Sequence, residues 1–267
     1  MSLLRDTNSH DRDKCITFRE DDHVYFINEG LLEFKECTEV NDSYTSVTTY
    51  IHTLFPVFDP DKVIKKMMSS PNWHSNRYYG MKPKEIKTMW NESAQKASNN
   101  GTKMHADIES YLNQQRVTND SREYEYFLKF IKKISSSLNI FRTEWMIWDS
   151  DFKICGSIDA VFKTPDGEYH IYDWKRSKEI KKFNRFQRGT HHLTSDMDDC
   201  NYNHYTLQLN IYKYILEKNY GIKIKSISIA VFHPKNLNYR VYKVRDEQEL
   251  VHNLMKDRIA QTISKNI

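Results

Sequence analysis

Residues 153–175 constrain the fold of this chain more than any other stretch. Two apolar runs, Lys153 to Phe162 and Glu168 to Lys175, flank Thr164-Pro165-Asp166-Gly167, whose proline and glycine suit a tight turn. The pattern predicts two antiparallel strands. Side chains alternate along a strand with period two, so Asp173 and Lys175 fall on one face, and the turn brings Asp159 beside Asp173. Two carboxylates that close repel each other unless a cation sits between them. Oxygen ligands of this kind suit Mg²⁺ or Mn²⁺ rather than zinc. A lysine beside such an ion can hold a water or hydroxide against a phosphate, which is what metal-assisted phosphodiester hydrolysis requires. The competing reading is an ordinary exposed strand face that happens to carry Asp-Trp-Lys.

The flanking pattern places this hairpin in a mixed α/β core. Upstream, Tyr124, Phe127, Leu128, Ile131 and Ile134 recur at helical spacing between Glu123 and Leu138, and Ile140 to Trp148 reads as a further strand. Downstream, a polar loop from about Ser177 to Asn203 is long enough to suggest a functional role. A helix from His204 to Asn219 follows, closed by Gly221, then strands near Ser226–Phe232 and Tyr239–Val244, and a last helix from Asp246. Residues 14–50, including Val24 to Ile27 and Tyr44 to Thr48, read as short strands and turns. From Pro60 to Leu112 the pattern is helical, with breaks near Pro71, Pro83 and a turn at Asn99-Asn100-Gly101. The expected organisation is a single domain over residues 1–267: a strand and helix elaboration over 1–100 packed on a catalytic core over 101–245.

Composition excludes several classes. With 39% hydrophobic and 13% aromatic residues, seven glycines and six prolines, the chain can bury a sizeable core and is not a low-complexity polymer. A net charge of +4 permits nucleic-acid binding without arguing for it. Cys15, Cys37, Cys155 and Cys200 form no C-x-x-C pair, and the first residues lack the apolar run of a secretory signal. The expectation is an intracellular, reduced protein with no membrane segment.

Gly156-Ser-Ile-Asp-Ala-Val161 followed by Tyr172-Asp-Trp-Lys175 resembles the signature of the PD-(D/E)XK nucleases, and the RecB-like exonuclease branch most of all. Three further segments are similar to motifs of that branch and stand in the same order: Gly101-Thr-Lys-Met-His105, Thr143-Glu-Trp145 and Gln208-Leu-Asn-Ile-Tyr212. The resemblance implies a restriction-endonuclease-like mixed sheet flanked by helices, here with an N-terminal helical elaboration. It implies one or two Mg²⁺ or Mn²⁺ ions held by His105, Asp159, Asp173 and the backbone carbonyl of Trp174, with Lys175 orienting the attacking water. Glu144 would help hold a second ion or the water, or be structural. Gln208 and Tyr212, one turn apart, would orient the lysine or touch a phosphate, core packing being the alternative for Tyr212. Some members carry an iron–sulfur cluster on late, closely spaced cysteines; no cysteine follows Cys200, so none is expected here.

Arg176, Lys178, Lys181, Lys182, Arg185 and Arg188, interleaved with Phe183 and Phe186, follow the catalytic strand. Such a mixture can grip phosphates and stack bases, or form a solvated charged loop. Trp73, Tyr78, Tyr79 and Trp90 can wall the site or be buried structural aromatics. The resemblance implies an exonuclease acting on DNA with single-stranded or free ends, in replication, repair or recombination. The rival readings are a structure-selective endonuclease or DNA/RNA nuclease, and an inactive nucleic-acid-binding module, against which the intact Asp159, Asp173 and Lys175 argue.

Overall fold

The computed structural model describes residues 3–19, 24–32 and 44–265. Cys37 lies outside the described residues. The helices are α1 (Leu3–Thr7), α2 (Val47–Thr53), α3 (Pro60–Met68), α4 (Pro83–Leu112), α5 (Arg122–Ile134), α6 (Asn201–Asn219) and α7 (Gln248–Lys265). The strands are β1 (Ile16–Arg19), β2 (Val24–Ile27), β3 (Thr45–Ser46), β4 (Asn139–Asp149), β5 (Ile154–Lys163), β6 (Tyr169–Lys175), β7 (Ile224–Val231) and β8 (Arg240–Lys243).

The fold is mixed α/β and restriction-endonuclease-like, a six-stranded mixed sheet between helices. β5 is its hub. Along one edge it pairs antiparallel with β4 over its whole length. Its other edge is shared: β3 runs parallel to it at Ile154 and Cys155, and β6 antiparallel to it from Ala160 to Lys163. β6 then pairs parallel with β7, and β7 antiparallel with β8. On the shared edge, Gly156 to Asp159 therefore fall between two partners, and the sheet opens there. The turn at Thr164–Gly167 closes as the sequence predicts, with the Gly167 amide donating to the Thr164 carbonyl at 3.0 Å and Gly167 at φ +91°.

Two apolar cores cover the sheet. On one face α4 and α5 bring Met104, Ile108, Phe127 and Phe130 onto Phe162, Trp174 and Phe232. On the other, α2, α6 and α7 bury Ile51, Leu207, Ile211, Ile215 and Leu254 against Ile158, Ile171 and Ile229. Strand alternation thus turns Trp174 toward α4 and α5, and Asp173 and Lys175 toward α6.

Three local expectations are corrected. The segment Asn99-Asn100-Gly101 does not turn: α4 runs unbroken for 30 residues, and Pro83 starts it rather than breaking it. A glycine inside a helix costs only about 1 kcal/mol, and the buried stripe Met104, Ile108, Leu112 outweighs it. The strand read at Tyr44 to Thr48 shrinks to two residues, because Ser46 caps α2, its Oγ accepting from the Thr49 amide at 3.1 Å. On α5, Leu128 is exposed, while Tyr126 and Phe130 join Tyr124 and Phe127 inside. Trp73, Tyr78 and Trp90 pack with Ile64 and Ile86 into a small core of their own between α3 and α4; Tyr79 stays exposed.

Candidate active site

Three elements deliver the site. The second half of α4 carries His105 to the backbone carbonyl of Trp174; β4 carries Glu144; β5 carries Asp159 at the point where the sheet opens. The pairs Thr143↔Ala160 and Trp145↔Ile158 set Glu144 level with Asp159. Because β6 departs beyond Tyr172, the Trp174 amide is not spent on a strand partner and donates to Asp159 Oδ2 at 2.6 Å. The Trp174 ring, 1% exposed and packed among Phe127, Phe130, Phe162 and Phe232, fixes that peptide. Its carbonyl oxygen lies 3.0 Å from His105 Nε2.

The imidazole is surrounded by acceptors. His105 Nδ1 stands 3.5 Å from Asp159 Oδ1 and 3.6 Å from Glu144 Oε1. His105, Glu144 and Asp159 each offer one ligand atom, all within 4.8 Å of one another. Ser157 Oγ donates to the other Glu144 oxygen at 3.0 Å. Glu144 holds φ at +40°, a left-handed value that a side chain disfavours and that surrounding structure must impose. Asp13 provides the clamp: its carboxylate accepts from Arg142 Nη1 at 2.6 Å and Trp145 Nε1 at 2.9 Å, on either side of Glu144.

On the α6 side, Lys175 Nζ lies 2.7 Å from Asp173 Oδ2 and 4.8 Å from the centre of the Tyr205 ring. Burial above all raises the Asp173 pKa to about 6, with Lys175 opposing. Burial also raises Asp159, against His105. For Lys175, burial works downward but Asp173 and Asp159 prevail and hold it charged. Gln208 Nε2 donates to Tyr212 Oη at 3.1 Å. The Tyr212 ring is buried against Gly156, where a Cβ would meet Cε1 at 2.7 Å, so only glycine fits that strand position. Tyr212 therefore packs in the core while its hydroxyl meets Gln208.

An imidazole with two carboxylates at Nδ1 and a backbone carbonyl at Nε2 offers a donor set suited to a hard divalent ion. Burial works to lower the His105 pKa, yet the charges of Asp159 and Glu144 and a hydrogen bond to Glu144 hold it at about 9. In the metal-free protein this preference stabilises the fold fully below the ordinary value of 6.5 and fades as pH rises through about 9. A ligating histidine must be neutral, so an ion entering here displaces that proton. Apparent Mn²⁺ affinity, measured by calorimetry, should accordingly climb as pH rises toward 9, with protons released. His105→Ala should bind more weakly and lose that pH dependence, its activity partly returning at high Mn²⁺. An unchanged metal dependence would place His105 outside the coordination sphere.

The basic loop leaves the site at Arg176 and is anchored from behind. Ile180 is buried, the Lys181 amide donates to Asn201 at 2.7 Å, and Asn184 is held by Asp198 and Asp199. Lys178, Lys181, Lys182 and Arg185 are exposed, as are Phe183 and Phe186 at 78% and 90%. Arg176 pairs with Glu123 at 2.8 Å, Arg188 stands 3.7 Å from Asp198, and Lys182 lies over the Tyr202 and Tyr242 rings. These partners are not the carboxylates of the metal site. Ser157, Tyr205 and Asp13 were not singled out by the sequence pattern. Tyr205 is three residues before Gln208, so helical spacing could have flagged it; Asp13, 129 residues from Arg142, had no local signal.

This donor set suits metal-assisted hydrolysis of a phosphodiester. A family model for the PD-(D/E)XK nuclease superfamily matches residues 72–266, and the chain belongs to that superfamily. Its members are nucleases that typically use divalent ions, so a nucleic acid is the substrate. No curated protein matches the chain. Among solved structures, that of SSO0001 is 14% identical with a TM-score of 0.36, covering 86% of this chain and 81% of that one. A candidate exonuclease of Eubacterium rectale is 14% identical with a TM-score of 0.33, covering 54% and 53%. No helix among the described residues is long and apolar enough to cross a membrane.

Proposed function

We propose that this protein is a Mg²⁺- or Mn²⁺-dependent deoxyribonuclease that degrades DNA from single-stranded ends, in the course of replication, repair or recombination. The observation that carries the chemistry is the convergence of His105, Glu144 and Asp159 within 4.8 Å beside the Asp173–Lys175 pair. His105, Asp159, Asp173 and the Trp174 carbonyl would hold the ion, with Glu144 available for it or for the water. Bound there, the ion polarises the scissile phosphate and lowers the pKa of a water. Lys175, kept charged by Asp173 and backed by Tyr205, orients that water and offsets charge developing on the phosphate. The preference for ends is supported by the order of motifs shared with the RecB-like exonucleases.

The test uses end-labelled single-stranded, duplex and circular DNA with Mg²⁺, Mn²⁺ or EDTA. Loss of linear but not circular substrate, abolished by EDTA, is the expected result. Nicking of circles would make the enzyme an endonuclease, and no cleavage with either ion would overturn the reading.

The loop from Arg176 to Arg188 serves this reading as a DNA grip. Replacing Lys181, Lys182, Arg185 and Arg188 together with alanine should raise KM with saturated turnover largely kept. The salt dependence of binding should flatten by up to ~0.7 for each phosphate that is no longer neutralised. Titration in Ca²⁺ across salt concentrations measures this. An unchanged slope would leave the loop as solvated surface.

A further inference from the structure

A cleft of about 1060 Å³ opens directly off the metal-binding residues, with His105, Glu144 and Ser157 at its floor. One wall is the β1–β2 hairpin, where Phe18 and Tyr25 stand directly opposite each other, ring centres 4.6 Å apart and tilted by 41°. The other wall is the middle of α4, presenting Gln95, Ser98, Asn99 and Thr102. The charges that line the cleft nearly cancel: Arg5, Arg142 and His105 are set against Asp13, Glu109 and Glu144, and Arg142 is already paired with Asp13. A phosphate chain has less to hold here than on the loop beyond β6, where Lys178, Lys181, Lys182, Arg185 and Arg188 are all exposed. Half-buried aromatic faces opposite neutral amides and hydroxyls fit a planar, uncharged, hydrogen-bonding ring.

We propose that this cleft receives one unpaired nucleobase of the strand being cut, seated against the Phe18–Tyr25 pair while its phosphate reaches the metal site. The proposal rests on the nuclease reading and deepens it. A base in a duplex has both faces stacked and its pairing edge occupied, so only a base out of the helix can enter. Preference for single strands then arises from the shape of the cleft beside the chemistry. Gln95, Ser98, Asn99 and Thr102 offer donors and acceptors that can serve any base edge, which makes the seat tolerant of sequence. Phe18 and Tyr25 lie upstream of the span matched by the superfamily, residues 72–266, while the α4 wall of the seat lies within it.

A coupling measurement separates this from the nuclease reading. A series of short single-stranded oligonucleotides, each with one abasic nucleotide, is bound in Ca²⁺ to the wild type, Phe18→Ala, Phe18→Leu and Phe18→Trp, with thermal unfolding as the check on folding. In the wild type, one position should lose about tenfold in affinity when its base is absent. Phe18→Ala and Phe18→Leu should bind the intact strand about as weakly and show no further loss at that position; Phe18→Trp should behave as wild type. Losses that simply multiply, or no position sensitive to base removal, would overturn the proposal. Because binding is read without cleavage, a protein that seats the base but cuts nothing with Mg²⁺ or Mn²⁺ refutes the nuclease reading alone. One that cuts but shows no coupling refutes the seat alone.

Discussion

Replacing Lys175 with alanine should lower single-turnover cleavage on the order of 10²–10³-fold while DNA binding in Ca²⁺ stays close to wild type. The charge of the lysine, held 2.7 Å from Asp173 with only 18% of the side chain exposed, would, on the proposed mechanism, face the place where a phosphate gains charge. Interactions that strengthen in the transition state alter turnover rather than affinity. The Asp173 carboxylate, deprived of its counter-charge, should take up a proton more readily, its pKa being already raised to about 6 by burial. A neutral carboxyl is tolerated in that setting, so thermal unfolding should change little. Cleavage at the wild-type rate would remove Lys175 from the mechanism; a large fall in melting temperature would show that it is needed for folding instead.

The largest effect on stability should come from far outside the superfamily-matched span. Asp13, 7% exposed, is the carboxylate between Arg142 and Trp145, and Arg142 is itself only 2% exposed. In Asp13→Ala the guanidinium keeps its bond to the Asn8 carbonyl at 2.8 Å but loses its counter-charge while remaining almost fully buried. Stranding a buried charge in this way costs about 3–5 kcal/mol. At about 2–4 °C per kcal/mol for a chain of this size, the melting temperature should fall by roughly 10 °C. Asp13→Leu combined with Arg142→Met, which removes both charges, should recover much of that loss. Calorimetry of the single and double variants decides it: a drop of under about 2 °C in Asp13→Ala would mean that the N-terminal segment is not tied down by this pair. Since Glu144 holds its unusual backbone between the two residues Asp13 grips, the single variant should also lose cleavage rate at temperatures where it remains folded.

What was legible in the sequence was local. The β5–β6 hairpin announced itself because alternation and a Pro-Asp-Gly turn act over a few residues, and they placed Asp159, Asp173 and Lys175 together before any long-range contact was known. The stripe on α5 was legible for the same reason, apart from Leu128, which periodicity alone could not separate from Phe130. The reach of α4 through Gly101 was not legible, since turn-forming residues signal a stop wherever burial does not overrule them. Nor was the split edge of β5: β3 joins β6 and Tyr212 there from more than 100 residues away in the chain, and no local pattern records that Gly156 must leave room for a ring. The clamp of Asp13 on Arg142 and the hairpin facing His105 are hidden by the same distance in sequence.

The unbroken run of α4 has a mechanical consequence. From Asn91 to Asn99 every residue is exposed, so for two and a half turns the helix is a beam spanning open solvent, with the α3–α4 core at one end and His105 at the other. Its own backbone bonds and the side-chain hydrogen bond from Gln95 Nε2 to Asn99 Oδ1 stiffen it there, and amide protons of that span should exchange before those between Met104 and Leu112. Gln95, Ser98 and Asn99 lie on this unsupported length and form one wall of the cleft. Any flexure of this length of helix would therefore change the width of the cleft.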